Sequence, residues 1–248
     1  MTINAISHIV SKARANSKKL LAVLIDPDKM HEEALVHLIG EAKAAKADLI
    51  FIGGSLITGA GLDQCIDTVK MHTSIPVILF PGSIMQVSPK ADAILFMSLI
   101  SGRNPDLLIG NQVISAPYIK KINLEYLSTG YMLVDCGQST TAIYMSGSAP
   151  LPYNKPEIAA CTAMAGDMLG LSQFYLDGGS GADKTVNPEI VKAVRAAVDK
   201  PIIVGGGIRT TEQAKIICEA GADIIVIGNV TEKNPSIIRE IAHTIHSF

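Results

Sequence analysis

The sequence predicts a single α/β domain, a (β/α)8 TIM barrel, and three observations carry that reading. Eight short runs rich in Ile, Val and Leu recur at 20–25, 48–52, 76–80, 93–97, 131–134, 173–176, 201–204 and 223–227. Stretches with helical spacing separate most of them, among them 29–44, 187–198 and 210–220. Fully apolar strands alternating with amphipathic helices imply a parallel sheet covered on both faces. The length of 248 residues matches the roughly 250 typical of one such barrel, so one domain over 1–248 is expected. The rival architecture is an open doubly wound sheet, whose G-x-G-x-x-G fingerprint should follow the first strand. Here that strand runs into Asp26-Pro27-Asp28-Lys29 instead.

Taken in order, the first strand ends at Asp26, the second at Gly53-Gly54-Ser55 and the third at Phe80-Pro81-Gly82-Ser83. The fourth continues apolar through Ile100, beyond what a strand requires, and Leu107, Leu108 and Ile109 follow it. Those residues are either core or the lining of a groove for a hydrocarbon chain. Two regions, 101–130 and 135–155, depart from a plain repeat and are too long for ordinary loops. Segments that follow barrel strands sit on the catalytic face, so insertions after the fourth and fifth strands are expected to wall a binding cleft. Decorative loops are the alternative.

Composition removes several functions. Lys plus Arg number 21 against 23 Asp plus Glu, a formal charge of -2, so no basic excess exists to neutralise a nucleic-acid backbone. Hydrophobic residues at 48% against 18% charged exclude disorder over most of the length. The longest apolar stretches fall far short of the roughly 20 residues of a membrane span. Residues 1–17 carry Lys12 and Arg14 without the apolar core and small-residue cleavage site of a secretory leader. Cys65, Cys136, Cys161 and Cys218 lack C-x-x-C spacing, and read as reduced thiols of a cytoplasmic protein.

Chemistry concentrates at the late strands. Asp177-Gly178-Gly179-Ser180-Gly181, Gly205-Gly206-Gly207 and Gly228-Asn229 each end one of the last three. Glycine lets backbone N–H groups approach an oxyanion closely and a nearby helix N-terminus adds positive potential, so three converging turns describe a phosphate cradle that needs no lysine. Tyr175 and Asp177 share one face of the sixth strand and reach the barrel mouth if Leu176 faces outward. Asp177 there either accepts a proton from a hydroxyl beside the phosphate or merely caps a turn. Asp26 and Ser55, across the mouth, suit a sparse magnesium site completed by water and substrate oxygens. Asp26 also reads as the N-cap of the next helix with Pro27 at its first position, and Asp28 competes for either role. His31 and His37 have the wrong spacing for a zinc pair and read as exposed helix residues. Ser-His-Asp order, H-E-x-x-H, a Walker lysine loop and paired D-D-x-x-D clusters are all missing from the chain.

In this order the motifs resemble the geranylgeranylglyceryl phosphate synthase family, to which bacterial heptaprenylglyceryl phosphate synthases are related. The resemblance rests on Ile25-Asp26-Pro27-Asp28-Lys29, Gly53-Gly54-Ser55, Phe80-Pro81-Gly82-Ser83, Phe96-Met97-Ser98-Leu99 with Asn104-Pro105, Tyr175 through Gly181, Val204-Gly205-Gly206-Gly207-Ile208-Arg209 and Gly228-Asn229. Ala149-Pro150 and Lys155-Pro156-Glu157-Ile158-Ala159-Ala160 resemble the archaeal-type group. The resemblance implies a modified barrel with one helix replaced by an extended segment, beside which the prenyl chain runs. It implies transfer of a prenyl group, geranylgeranyl by the family's example, from its diphosphate to the 3-hydroxyl of sn-glycerol 1-phosphate. It implies magnesium on Asp26 and Ser55, and glycerol phosphate held by Tyr175, Leu176, Asp177, Gly178, Gly179, Ser180, Gly181, Gly206, Gly207, Gly228 and Asn229. Asp177 is then the catalytic base, with Tyr175 beside it. A homo-oligomer, dimer or hexamer, and transient membrane contact for the lipid product also follow.

The chain departs from the family at three places. Where the family commonly has glutamate, this chain has Asp177, one methylene shorter. Leu24 stands where the bacterial enzymes carry lysine, and Val134-Asp135-Cys136-Gly137 replaces an acidic-proline-glycine sequence. The glycine turns alone fit two other readings, a barrel isomerase or lyase acting on a phosphorylated polar metabolite, and a phosphate-ligand binding protein without catalysis.

Overall fold

Eight parallel strands close on themselves in sequence order, and the computed structural model describes residues 5–29, 31–59 and 61–248. The strands are β1 (Leu20–Ile25), β2 (Leu49–Ile52), β3 (Val77–Leu79), β4 (Ala93–Leu99), β5 (Glu125–Leu133), β6 (Gln173–Asp177), β7 (Ile202–Gly205) and β8 (Ile224–Ile227). The helices are α1 (Ala5–Ala15), α2 (Glu32–Ala44), α3 (Leu62–His72), α4 (Asn111–Lys121), α5 (Thr141–Ser146), α6 (Pro156–Met168), α7 (Pro188–Ala197), α8 (Thr211–Glu219), α9 (Asn229–Lys233) and α10 (Ile237–Ile245). A helix follows every strand except β3. Residues 80–92 cross from β3 to β4 without one, which is the helix-to-extended replacement that the resemblance implied.

Strand alternation sorts the apolar residues into two layers. Leu20, Ala22, Leu49, Phe51, Ile78, Ala93, Leu95, Tyr175 and Ile203 fill the barrel interior. Leu21, Val23, Ile50, Ile94, Phe174, Leu176 and Ile202 face the helix layer. Asn187 caps α7 by accepting from Glu189 N at 3.0 Å, and Pro188 supplies the fixed φ of a first helical position. Thr210 and Gln213 close a capping box on α8.

All eight expected strands form, but the region 101–130 is corrected. It is no insertion. A π-helical turn (Asp106–Gly110) leads into α4, and β5 begins at Glu125. The polar residues Glu125, Ser128 and Thr129 interrupt the apolar run, and two of them, Glu125 and Thr129, have a structural reason to lie in a strand. Thr129 Oγ1 accepts from Gln173 Nε2 at 2.9 Å. Glu125 is only 5% exposed and accepts from Ile6 N at 3.0 Å and from Ser7 N and Oγ at 2.9 Å. That carboxylate pins the N-terminus of α1, whose Ile6, Val10 and Ala13 plug the barrel floor. The region 135–155 does carry an addition, α5, and returns to the barrel through the Val134 to Leu151 bridge.

The helix expected over 29–44 starts only at Glu32, with His31 at its N-cap. Met30 lies outside the described residues, as do residues 1–4 of the N-terminal segment. His31 and His37 are exposed, as expected, and all four cysteines are free. Among the described residues no helix is long and apolar enough to cross a membrane.

Replacing Glu125→Ala strands two amide donors at the floor and is expected to cost about 2 kcal/mol. A urea titration checks this, and an unchanged midpoint would contradict the role given to Glu125.

Candidate functional site

A cavity of about 440 Å³ spans the C-terminal mouth of the barrel. One end is polar and glycine-rich, and the other is an apolar limb. Gly179, Ser180, Gly181, Gly206, Gly207, Gly228 and Asn229 all line it, so the three glycine turns do converge. Ser180 Oγ and Asn229 Oδ1 lie 2.9 Å apart and tie the turn after β6 to the turn after β8. Gly206 has φ +83°, and a Cβ there would lie 2.7 Å from Gly179 N. A side chain would therefore push into the backbone of the turn after β6 and displace it. The Arg209 guanidinium donates to the carbonyls of Ala182 (short) and Asp183 (3.1 Å) and so clamps the loop after β6.

Two expected contacts are corrected. Leu176 and Gly178 do not line the cavity. Period-two alternation sends the Leu176 side chain into the outer core, and the Cβ direction of Gly178 points at Cys136 Sγ, 3.0 Å away. Burial, with the charge of Asp177 nearby, pushes the Cys136 thiol up to about 12, so it stays protonated and is no nucleophile.

The outward face of Leu176 sends Tyr175 and Asp177 inward, where both line the cavity. Asp177 is 6% exposed. Its Oδ1 accepts from Gly179 N at 2.7 Å, and its Oδ2 accepts from the Tyr131 hydroxyl at 2.5 Å. Burial raises the carboxyl above the ordinary aspartate range, while those two donors pull it down. Tyr131, not Tyr175, is thus the hydroxyl on the carboxylate. The sequence reading missed Tyr131, although its parity with Leu133 on the fifth strand would have placed it on the inner face. Tyr175, Tyr131 and Phe80 pack ring to ring, with centroids 4.9 to 5.8 Å apart.

Across the mouth, Asp26 and Ser55 both line the cavity. Asp26 does not cap α2, because residues 27–29 turn first, with Lys29 N donating to Asp26 O at 3.1 Å. Asp28 is taken out of contention. Its carboxylate accepts from Thr58 N at 2.6 Å, Thr58 Oγ1 at 3.0 Å and Gly59 N at 3.2 Å, and these bonds, the Thr58 amide foremost, hold it below the usual carboxylate range. Lys29 Nζ, also missed from sequence, sits 3.1 Å from Asp26 Oδ2. Among the described residues no group of three or more His, Cys, Asp or Glu gathers anywhere. One carboxylate and one hydroxyl fit a hard cation whose other positions go to water and substrate oxygens, and fit poorly a protein-caged transition metal. Gln86 staples this corner, with Nε2 donating to Gly54 O at 3.0 Å and Oε1 accepting from Gly82 N at 3.1 Å.

The apolar limb is walled by Ile84 and Val87 of the extended segment, Ile94 and Phe96 from β4, and Leu107 and Ile119 from the helical side. Of the three residues expected to follow the groove, Leu107 lines it, whereas Leu108 does not and Ile109 is 60% exposed. The intervening π-helical turn rotates them away.

The model of the PcrB family matches residues 14–245. Geranylgeranylglyceryl phosphate synthase of Chitinophaga pinensis is 51% identical over 234 residues, 94% of this chain and 93% of that protein. The Spirosoma linguale protein of the same name is 48% identical over 240 residues, 97% and 96% of the two chains. The crystal structure of (S)-3-O-geranylgeranylglyceryl phosphate synthase from Thermoplasma acidophilum, in complex with sn-glycerol-1-phosphate, superposes with a TM-score of 0.92 at 32% identity and covers 100% of both chains.

Gly206→Ala is expected to weaken binding of inorganic phosphate at least about tenfold, the equivalent of one charge-assisted hydrogen bond, with the circular dichroism spectrum retained. Calorimetry that returns the wild-type affinity would contradict the cradle.

Proposed function

Because the chain belongs to the PcrB family, we propose that it is a prenyltransferase that joins the 3-hydroxyl of sn-glycerol 1-phosphate to a prenyl group, releasing diphosphate. The observation that carries this reading is one cavity that holds a glycine cradle, a buried carboxylate and an apolar limb together. A polar phosphorylated metabolite, as a barrel isomerase or lyase would take, leaves the limb of Ile94, Phe96 and Leu107 without a purpose. A hydrocarbon chain fills it.

In this reading the backbone at Gly179 to Gly181, Gly206, Gly207, Gly228 and Asn229 binds the glycerol phosphate, and Tyr175 forms the wall beneath it. Asp177 is the base on which the proton of the attacking hydroxyl ends. Burial makes its carboxylate a stronger base than one in water. Asp26 and Ser55 would hold magnesium beside the diphosphate of the donor, a geranylgeranyl diphosphate by the example of the named relatives. When bound, that ion would supply positive charge to offset the charge on the leaving diphosphate. Lys29, paired to Asp26, adds a second cation at the same corner. Four free cysteines, three of them buried, fit a cytoplasmic site of action. Exposed Met85 and Ile84 at the open edge of the limb fit transient membrane contact by the lipid product. A homo-oligomer, dimer or hexamer, belongs to the same reading.

The direct test incubates the protein with magnesium, sn-glycerol 1-phosphate and radiolabelled geranylgeranyl diphosphate, with sn-glycerol 3-phosphate and a magnesium-free sample as controls. An ether product from the sn-1 isomer alone, only with magnesium, is expected. No product while the glycerol phosphate still binds would overturn the transferase reading. Asp26→Ala is expected to lower kcat by about 10²-fold or more with the fold intact, and a wild-type rate in that variant would remove Asp26 from the metal site. The base must be ionised to act. The acid limb of kcat is therefore expected above the ordinary aspartate range, with activity lost as pH falls through it. A rate that is flat through that range would contradict Asp177 as the base.

A further inference from the structure

We propose that Tyr131 is a catalytic residue of this chain: its hydroxyl takes the proton from the attacking glycerol hydroxyl and hands its own proton to Asp177, so that base catalysis runs through a two-proton relay. The inference rests on the transferase reading above and deepens it.

The geometry of the carboxylate comes first. Asp177 is almost wholly buried. Both of its oxygens already serve protein donors, Oδ1 the amide of Gly179 at 2.7 Å and Oδ2 the hydroxyl of Tyr131 at 2.5 Å. Tyr131 is placed differently. It lines the cavity and is only partly buried. After donating to Asp177, its hydroxyl oxygen still carries lone pairs, the acceptor that a substrate O–H needs. Its position is fixed rather than adaptable. Tyr131 pairs in register with Tyr175 and Leu133 with Asp177, so Tyr131 and Asp177 are diagonal neighbours on the inner face. The ring is held edge-on between Phe80 at 5.8 Å and Tyr175 at 5.6 Å. Burial and the charge of Asp177 keep the phenol in its neutral form, the form that can both give and take a proton.

The step balances. The glycerol O–H bond breaks and its proton goes to the Tyr131 oxygen while the Tyr131 proton moves to Asp177 Oδ2. The glycerol oxygen forms the C–O bond to the allylic carbon, and the bond from that carbon to the diphosphate oxygen breaks with its electron pair on the diphosphate. Tyr131 ends as neutral phenol and Asp177 as the acid, which then releases its proton to water. No oxidant or further reactant is required.

Three variants test the relay: Tyr131→Phe, Asp177→Glu and the double variant, each checked for fold by circular dichroism and for sn-glycerol 1-phosphate affinity by calorimetry. Tyr131→Phe is expected to keep affinity within about threefold and to lose about 10²-fold or more in the single-turnover rate, the scale of general base catalysis. Asp177→Glu extends the carboxylate by one methylene toward the space the phenol hydroxyl vacates, so the double variant is expected to recover at least about tenfold over Tyr131→Phe. The rate of the wild type in H2O/D2O mixtures is expected to curve with deuterium fraction, as two protons in flight require, and that measurement decides the matter if a glutamate variant does not fold. A Tyr131→Phe rate within threefold of wild type, a folded double variant no faster than Tyr131→Phe, or a linear wild-type dependence would each overturn the relay. A wild type that makes no ether overturns the transferase reading itself, whereas an active wild type with an indifferent Tyr131→Phe overturns the relay alone.

Discussion

The parity of β6 is the constraint on which the site depends. Its five residues are all buried, so alternation alone decides that Tyr175 and Asp177 face the barrel interior while Phe174 and Leu176 face the helices. A one-residue slip would put a carboxylate among Ile and Val side chains and a leucine in the mouth. The slip is opposed in the outer layer, because Phe174 fills the space over Gly130, where a Cβ would lie 2.8 Å from its ring. The same parity on β5 delivers Tyr131 to Asp177. Packing in the outer layer thus fixes the hydrogen bond in the inner one.

A second constraint is backbone proximity around the mouth. Closure of eight strands brings their C-terminal turns into a ring, and several approach more closely than any side chain allows. A Cβ on Gly206 would sit 2.7 Å from Gly179 N, and one on Gly207 would sit 2.3 Å from Lys184 O. The consequence is a mouth whose glycine-rich half presents backbone amides rather than lysines, the half proposed to bind the phosphate. That suits a ligand phosphate that must be oriented for attack, since amides built into turns cost little to reorganise when charge develops. The opposite half is made of side chains, Asp26, Ser55 and Lys29, and suits a diphosphate that must leave.

Much of this was legible in the sequence, for identifiable reasons. The strands were readable because buried parallel strands are continuous Ile, Val and Leu runs, and the meeting of the glycine turns at one mouth because each of the three ends such a run. What could not be read was whatever depends on tertiary partners. The first half of β5 carries Glu125 and Thr129, whose place in a strand makes sense only once α1 and Gln173 are seen against them. For the same reason 101–130 looked like an insertion and Tyr131 went unnoticed as a site residue. Asp28 was indistinguishable from Asp26 until Thr58 and Gly59 were seen to occupy its carboxylate. The family resemblance and the relatives supply the substrate, which no turn or spacing on the page names.

The central claim is that turn amides of the last three strands hold the phosphate beside Asp177. The most direct measurement is a backbone amide NMR titration with sn-glycerol 1-phosphate. The account predicts that the largest, saturable shifts fall on Gly179, Ser180, Gly181, Gly207 and Asn229, with the Tyr131 and Asp177 amides following. Shifts confined to Gly54, Ser55 and Lys29, with the late turns unmoved, would contradict it and transfer the phosphate to the other side of the mouth.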